Sequence, residues 1–142
     1  MSIIDRVEIH EFTFEAKNLH LKGAGAHASI TYVKGAKTTL TKYAVVIRAK
    51  DGARGEYVTL WGGTRPALAQ TLTLAPHLLG RNADHREEIY DDLKRELRQY
   101  DHFGHGPIDI ALWDLAGKKF GASVSQLLGG YRKRLKAYAS TY

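Results

Sequence analysis

The sequence predicts an α+β fold: a three-stranded antiparallel meander followed by a helical bundle. Three observations carry that prediction. Residues 3–14, 38–50 and 55–61 alternate apolar and polar side chains with period two, as half-buried strands do. Asp51-Gly52, between the second and third of them, is a hairpin turn signal. From residue 64 onward the apolar residues recur at three- and four-residue spacing, between residues that start and stop helices.

In the first strand, IIDRVEIHEFTF, Val7 and Ile9 alternate in one phase and Phe12 and Phe14 in the other, so a bulge is expected between the pairs. The second strand, TTLTKYAVVIRAK, puts Tyr43, Val45 and Ile47 on one face. The third, GEYVTLW, returns after the turn. Thr64 is placed to cap a helix from Arg65-Pro66, with Leu68, Leu72 and Ala75 along its face. Pro76 should kink or end that helix and Gly80 should stop the turn after it. Asp84, with Glu87 three residues on, resembles a capping box ahead of the stripe Ile89, Leu93, Leu97, Tyr100. Residues 101–106, DHFGHG, read as a polar link. His102 and His105 within it have H-x-x-H spacing, a weak zinc signal without a third histidine or a cysteine nearby.

The longest patterned stretch is Gly106 to Gly130, GPIDIALWDLAGKKFGASVSQLLGG. Pro107 suits the first turn of a helix, where its missing N–H would be unpaired anyway. Ile108, Ala111, Leu112 and Leu115 form one apolar stripe, and Trp113 is expected to be buried. Gly117 permits close backbone approach, Gly121 breaks the helix, Ser123 caps a short second one and Gly129-Gly130 ends it. Residues 134–142, RLKAYASTY, alternate Leu135, Ala137 and Ala139 and read as one more strand.

Composition narrows the function classes. There are no cysteines, so disulfides and thiolate metal sites are excluded, which fits a cytoplasmic protein. The start, MSIIDRVEIHEF, lacks the basic and apolar regions of a signal peptide, and no apolar run approaches the ~20 residues that cross a bilayer. No membrane partner is expected. The net charge of +6 raises nucleic-acid binding. The basic residues are spread out, however, and the one tight run, Arg132, Lys133, Arg134 and Lys136, reads as solvated surface. No nucleic-acid partner is expected. Gly23-Ala24-Gly25-Ala26-His27-Ala28 matches G-x-G-x-x-A, but β-rich residues follow where a dinucleotide site needs a helix.

The string Asp109-Ile110-Ala111-Leu112-Trp113-Asp114-Leu115-Ala116-Gly117-Lys118, followed by Gln126-Leu127-Leu128-Gly129-Gly130, closely resembles the mandelate racemase/muconate lactonising branch of the enolase superfamily. Gly55-Glu56 after the hairpin fits the same pattern, and Tyr138-Ala139-Ser140 looks like the first strand of the (β/α)₈ barrel of family members. The resemblance covers essentially the whole chain. It implies an N-terminal capping domain over 1–130 and the start of the barrel domain over 131–142, first strand only. Family members carry a further barrel of ~250 residues. It holds the acidic Mg2+ ligands and the Lys or His acid/base groups. The implied assignment is therefore no catalytic residue and no metal ligand on this chain, with Mg2+ bound by the barrel of the full-length enzyme.

The implied activity is abstraction of the proton next to a carboxylate, a first step shared by racemisation, β-elimination of water from an acid sugar and cycloisomerisation. The polar, basic character of the connection between the first two strands favours a sugar-acid dehydratase or racemase. The implied partners are a small carboxylate substrate of the acid-sugar kind, the barrel domain and, for the full-length enzyme, further copies in a homo-oligomer. A non-catalytic, stand-alone binding or structural domain is the alternative. In the family the connection between the first two strands is a lid over the barrel mouth. Here residues 15–42 hold five lysines against one glutamate, a local charge of +4 that would favour an anionic substrate. His20, Lys22, His27 and Lys34 are candidate substrate-binding residues on that lid. Trp61 and Arg65 are candidates on a second loop after the third strand, Arg65 as a carboxylate partner. Ser140 is a candidate at the end of the first barrel strand. Each also has a plain reading as a solvent-facing or strand-end side chain.

Overall fold

Three strands build one antiparallel sheet in the order β1-β2-β3, with β1 Ile4–Lys22, β2 Ser29–Ala49 and β3 Arg54–Val58. The computed structural model describes residues 1–23, 29–60 and 64–139. The Asp51-Gly52 turn forms as expected: Asp51 Oδ1 accepts the Ala53 N–H at 3.1 Å and Gly52 takes a φ of 86°. Pairing runs without interruption from Arg6↔Arg48 to Lys17↔Lys37, so no bulge separates Val7 and Ile9 from Phe12 and Phe14. The phase change has another cause. Val7 and Ile9 face the helices, whereas Phe12 and Phe14 lie on the outer face, where Lys42 sits 5.4 Å from the Phe14 ring. The irregularities fall instead at Ile4/Arg6 and Lys17/Leu19.

The helices cover one face. They are α1 Thr64–Leu74, α2 Arg86–Glu96, α3 His105–Phe120 and α4 Val124–Leu127, with a 3₁₀ turn over Ala75–Leu78. Pro76 does end α1, as a ring without an N–H should. Tyr43, Val45 and Ile47 enter the core with Leu74, Ile89, Leu93, Ile108, Leu112 and Leu115. The Tyr43 hydroxyl meets Thr71 Oγ1 at 2.8 Å, Thr71 Oγ1 donates to the Gly104 carbonyl at 3.0 Å, and burial pushes the phenol pKa up. That relay ties sheet, α1 and the start of α3 together without an unpaired hydroxyl.

Three expectations are corrected. Asp84 does not cap α2, which starts at Arg86 without a side-chain cap bond. Asp84 instead accepts from Lys119 Nζ at 2.7 Å, and that bond holds its pKa below the usual carboxylate range. The link 101–106 is not all polar loop: α3 begins at His105, which is buried, packs its ring at a tilt against Tyr90 with centroids 4.5 Å apart and leaves Nε2 without a partner among the described residues. Pro107, third in the helix, still needs no N–H partner there. Trp113, expected to be buried in the helix bundle or against the barrel, is half-buried in this chain, with the Arg86 guanidinium 4.6 Å from its ring centre. Residues 131–139 form no strand, because a strand needs a ladder and no described segment pairs with them. Ser123 does cap α4 in a full capping box with Gln126, and Gly121 ends α3 in the left-handed conformation.

Candidate functional site

The string from Asp109 to Lys118 serves the architecture. A Cβ on Gly55 would lie 2.0 Å from the Ala111 carbonyl oxygen and 2.6 Å from the Leu115 Cβ, so only glycine lets β3 touch α3 so closely. Asp114 Oδ2 then accepts the Glu56 N–H at 2.8 Å, and Lys118 Nζ bridges Asp114 at 2.6 Å and Glu56 at 3.0 Å. The bond from Lys118 holds the Glu56 carboxyl pKa down, and the one to Asp114 raises that of Lys118. A second clamp joins Lys119, Ser2, Asp51 and Asp84 through bonds of 2.7 Å each. These charged side chains are engaged with one another.

The candidate substrate-binding side chains lie elsewhere. Strands β1 and β2 run far past the end of β3, which pairs only with residues 44–48. Their outer part is a two-stranded arm over 19–22 and 29–32. The pairs His20↔Thr31 and Lys22↔Ser29 share one face of the arm, and Leu19↔Tyr32 and Leu21↔Ile30 share the other. Ile30 is buried on that second face, whereas His20 and Lys22 are exposed on the first. The structure therefore brings His20 and Lys22 together on one polar face. Lys34 is exposed in the stretch just before the arm joins the main sheet.

Of the five lysines, Lys37 is paired with Glu15 at 3.1 Å and Lys42 is half-buried over Phe14. Lys17, Lys22 and Lys34 have no carboxylate partner among the described residues. Arg65 is exposed in the first turn of α1, also without a described carboxylate partner. Because Val58 pairs with Ala44, the chain leaves β3 toward the end of the sheet from which the arm projects. Arm and second loop thus belong to the same end of the sheet. His27, Trp61 and Ser140 lie outside the described residues, as does the Thr64 side chain.

That end also carries an apolar surface. Leu60, Phe103 and Ile110 are exposed around a pocket of about 170 Å³ that Tyr57, Thr59 and Pro107 help to line. The volume is below the ~300 Å³ at which small-molecule sites usually begin. A larger open groove of about 470 Å³, lined by Val7, Ile9, Leu72 and Pro76, lies along the opposite end of β1 and holds none of the candidate residues. Among the described residues no three His, Cys, Asp or Glu side chains are grouped to hold a metal ion, so the chain as described does not fit a magnesium site. No helix among them is long and apolar enough to cross a membrane.

Residues 24–129 match the model of the mandelate racemase/muconate lactonizing enzyme N-terminal domain. D-galactarolactone cycloisomerase of Agrobacterium fabrum is 38% identical over 102 residues, which is 68% of this chain and 27% of that protein. L-talarate/galactarate dehydratase of Salmonella typhimurium is 31% identical over 115 residues, 73% of this chain and 29% of that protein. Among solved structures, D-glucarate dehydratase from Agrobacterium tumefaciens, complexed with magnesium, superposes with a TM-score of 0.69 at 26% identity, covering 92% of this chain and 33% of that one. The chain thus spans between a quarter and a third of the length of these proteins.

Proposed function

The chain belongs to the mandelate racemase/muconate lactonizing enzyme family, as its N-terminal domain, and from that premise we propose that it caps the active site of an enzyme that removes the proton next to a substrate carboxylate. The reaction is that of a sugar-acid dehydratase or racemase. Residues 131–142 are the start of a barrel domain, and that barrel supplies the magnesium ion, the base and the acid. No step of the chemistry runs through a residue of 1–130. The capping domain contributes charge, shape and exclusion of water, which tune binding of the anion.

One observation carries the reading. Lys22, Lys34 and Arg65 are cations without described carboxylate partners, at the end of the sheet where the arm and the second loop emerge together. Unpaired cations are free to meet a carboxylate, whereas Lys118 and Lys119 are already engaged. His20 shares the polar face with Lys22 and adds a hydrogen-bonding ring for a sugar hydroxyl. His27, Trp61 and Ser140 stay in the proposed site on sequence position alone. The exposed Leu60, Phe103 and Ile110 form the apolar seat on which the barrel rests.

The test uses the polypeptide that carries this chain together with its barrel. Changing Lys22, Lys34 and Arg65 singly to alanine should raise KM for a sugar-acid substrate about three- to tenfold, the effect of losing uniform binding, with kcat within about twofold. Loss of kcat without a change in KM would place these residues in the chemical step and overturn the division of labour.

A further inference from the structure

The arm is joined to the main sheet by an irregularity that sequence periodicity does not reveal. Lys17 pairs with Lys37, and the next pair is Leu19 with Tyr32. One residue of β1, Asn18, therefore stands opposite four of β2, Val33 to Ala36. Ladder hydrogen bonds cannot span that mismatch. Two side chains bridge it instead. Asn18 Oδ1 accepts the Gly35 N–H at 2.8 Å, and Thr38 Oγ1 donates to the Leu19 carbonyl at 2.8 Å.

The backbone at this junction is specialised. Asn18, at φ 59°, is the single non-glycine residue with positive φ among those described, and Gly35 sits at φ 82°. Asparagine is one of the few residues with a side chain that adopt this conformation readily. It also carries the carbonyl that fixes the opposite strand. Both features lie at the register shift where the arm meets the main sheet, one residue before Leu19 and two before His20.

We propose that Asn18 is a positioning residue, which latches the excursion 33–36 to β1 and so holds Lys34, His20 and Lys22 in one arrangement toward the substrate. The proposal rests on the reading of these side chains as a substrate-binding face. Its physical content is pre-organisation: the latch removes alternative arm orientations before the anion arrives, so less freedom is lost on binding. Asn18 touches no substrate and moves no proton.

Two variants separate the latch from general damage. Asn18→Gly keeps access to positive φ but removes the acceptor, whereas Asn18→Asp keeps both. Amide hydrogen exchange in this chain, followed by NMR, should show the Gly35 N–H exchanging about fivefold faster in Asn18→Gly, the scale of one lost hydrogen bond. The amides of Leu21 and Ile30 should accelerate with it, the Tyr43 amide should not, and Asn18→Asp should stay within about twofold of the parent. Unchanged exchange at Gly35 in Asn18→Gly, or equal acceleration in Asn18→Asp, would overturn the latch. In the polypeptide that carries the barrel, Asn18→Gly should raise KM at least threefold with kcat preserved. If Lys34→Ala leaves KM unchanged while Asn18→Gly still frees the Gly35 amide, the latch stands and the substrate-face reading falls.

Discussion

Gly55→Ala tests the physical reason for the longest motif in the chain. The new Cβ would sit 2.0 Å from the Ala111 carbonyl oxygen, 2.5 Å from the Leu115 nitrogen and 2.6 Å from the Leu115 Cβ, where ordinary contact begins near 3.4 Å. Two of those atoms are helix backbone, which no rotamer change can move. Strand β3 and α3 must therefore separate by more than an ångström, in the middle of the contact that holds the sheet to the bundle. Overpacking costs ~1–3 kcal/mol when side chains can give way, so a backbone clash belongs at the top of that range, about 3 kcal/mol. For a domain of this size that is a fall in Tm of about 10 °C. Gly52→Ala is the control. Its Cβ meets nothing within 4 Å, but φ is 86°, so only the left-handed penalty of ~1–2 kcal/mol applies. Urea and thermal melts by circular dichroism decide. A Gly55→Ala loss below about 1 kcal/mol, or one no larger than that of Gly52→Ala, would refute the close-contact account.

Two further outcomes follow from burial and charge. Trp113 is half-buried, so Trp113→Ala should cost about 2 kcal/mol rather than the ~3–5 of a fully packed aromatic, read from denaturant melts. His105 is buried beside Tyr90, with His102 and Lys94 nearby, and burial first, then the electrostatic influence of these neighbours, holds its pKa below the ordinary value. Between about pH 6.5 and that lower folded value the unfolded chain binds a proton that the folded one refuses, so stability falls as pH falls. His105→Leu should flatten this window. It should leave the later acid loss caused by Asp84, whose lowered folded pKa makes its contribution disappear only at lower pH. Melts of both proteins across the range measure the difference in slope.

The parts of the fold legible in the sequence are those where one face is buried. Val45 and Ile47 alternate because they pack on α3 and its neighbours, and Asp51-Gly52 turns because glycine accepts positive φ. Residues 15–22 and 29–37 are strand too, but most of them are exposed on both faces, so burial imposes no period there and only the backbone ladder makes them strands. The local signal at Asp84 was outcompeted by a tertiary one, Lys119. His105 looked polar in sequence and is covered by Tyr90, which no local pattern encodes. For the site, the five lysines were visible, but which of them lack partners depends on cross-strand register and on Glu15. The Asn18 junction leaves only a faint trace, an asparagine and a lone Gly35 within the connection between the first two expected strands.

The central claim is that this chain caps a site whose chemistry resides in a barrel. Exchange of the α-proton of a sugar acid with deuterated solvent reports the first chemical step directly. The measurement is proton NMR of the substrate in D2O with millimolar magnesium, once with the 142-residue chain and once with the polypeptide that also carries the barrel. Exchange should run at the buffer rate with the chain alone and rapidly when the barrel is present. Exchange catalysed by the 142 residues by themselves would contradict it.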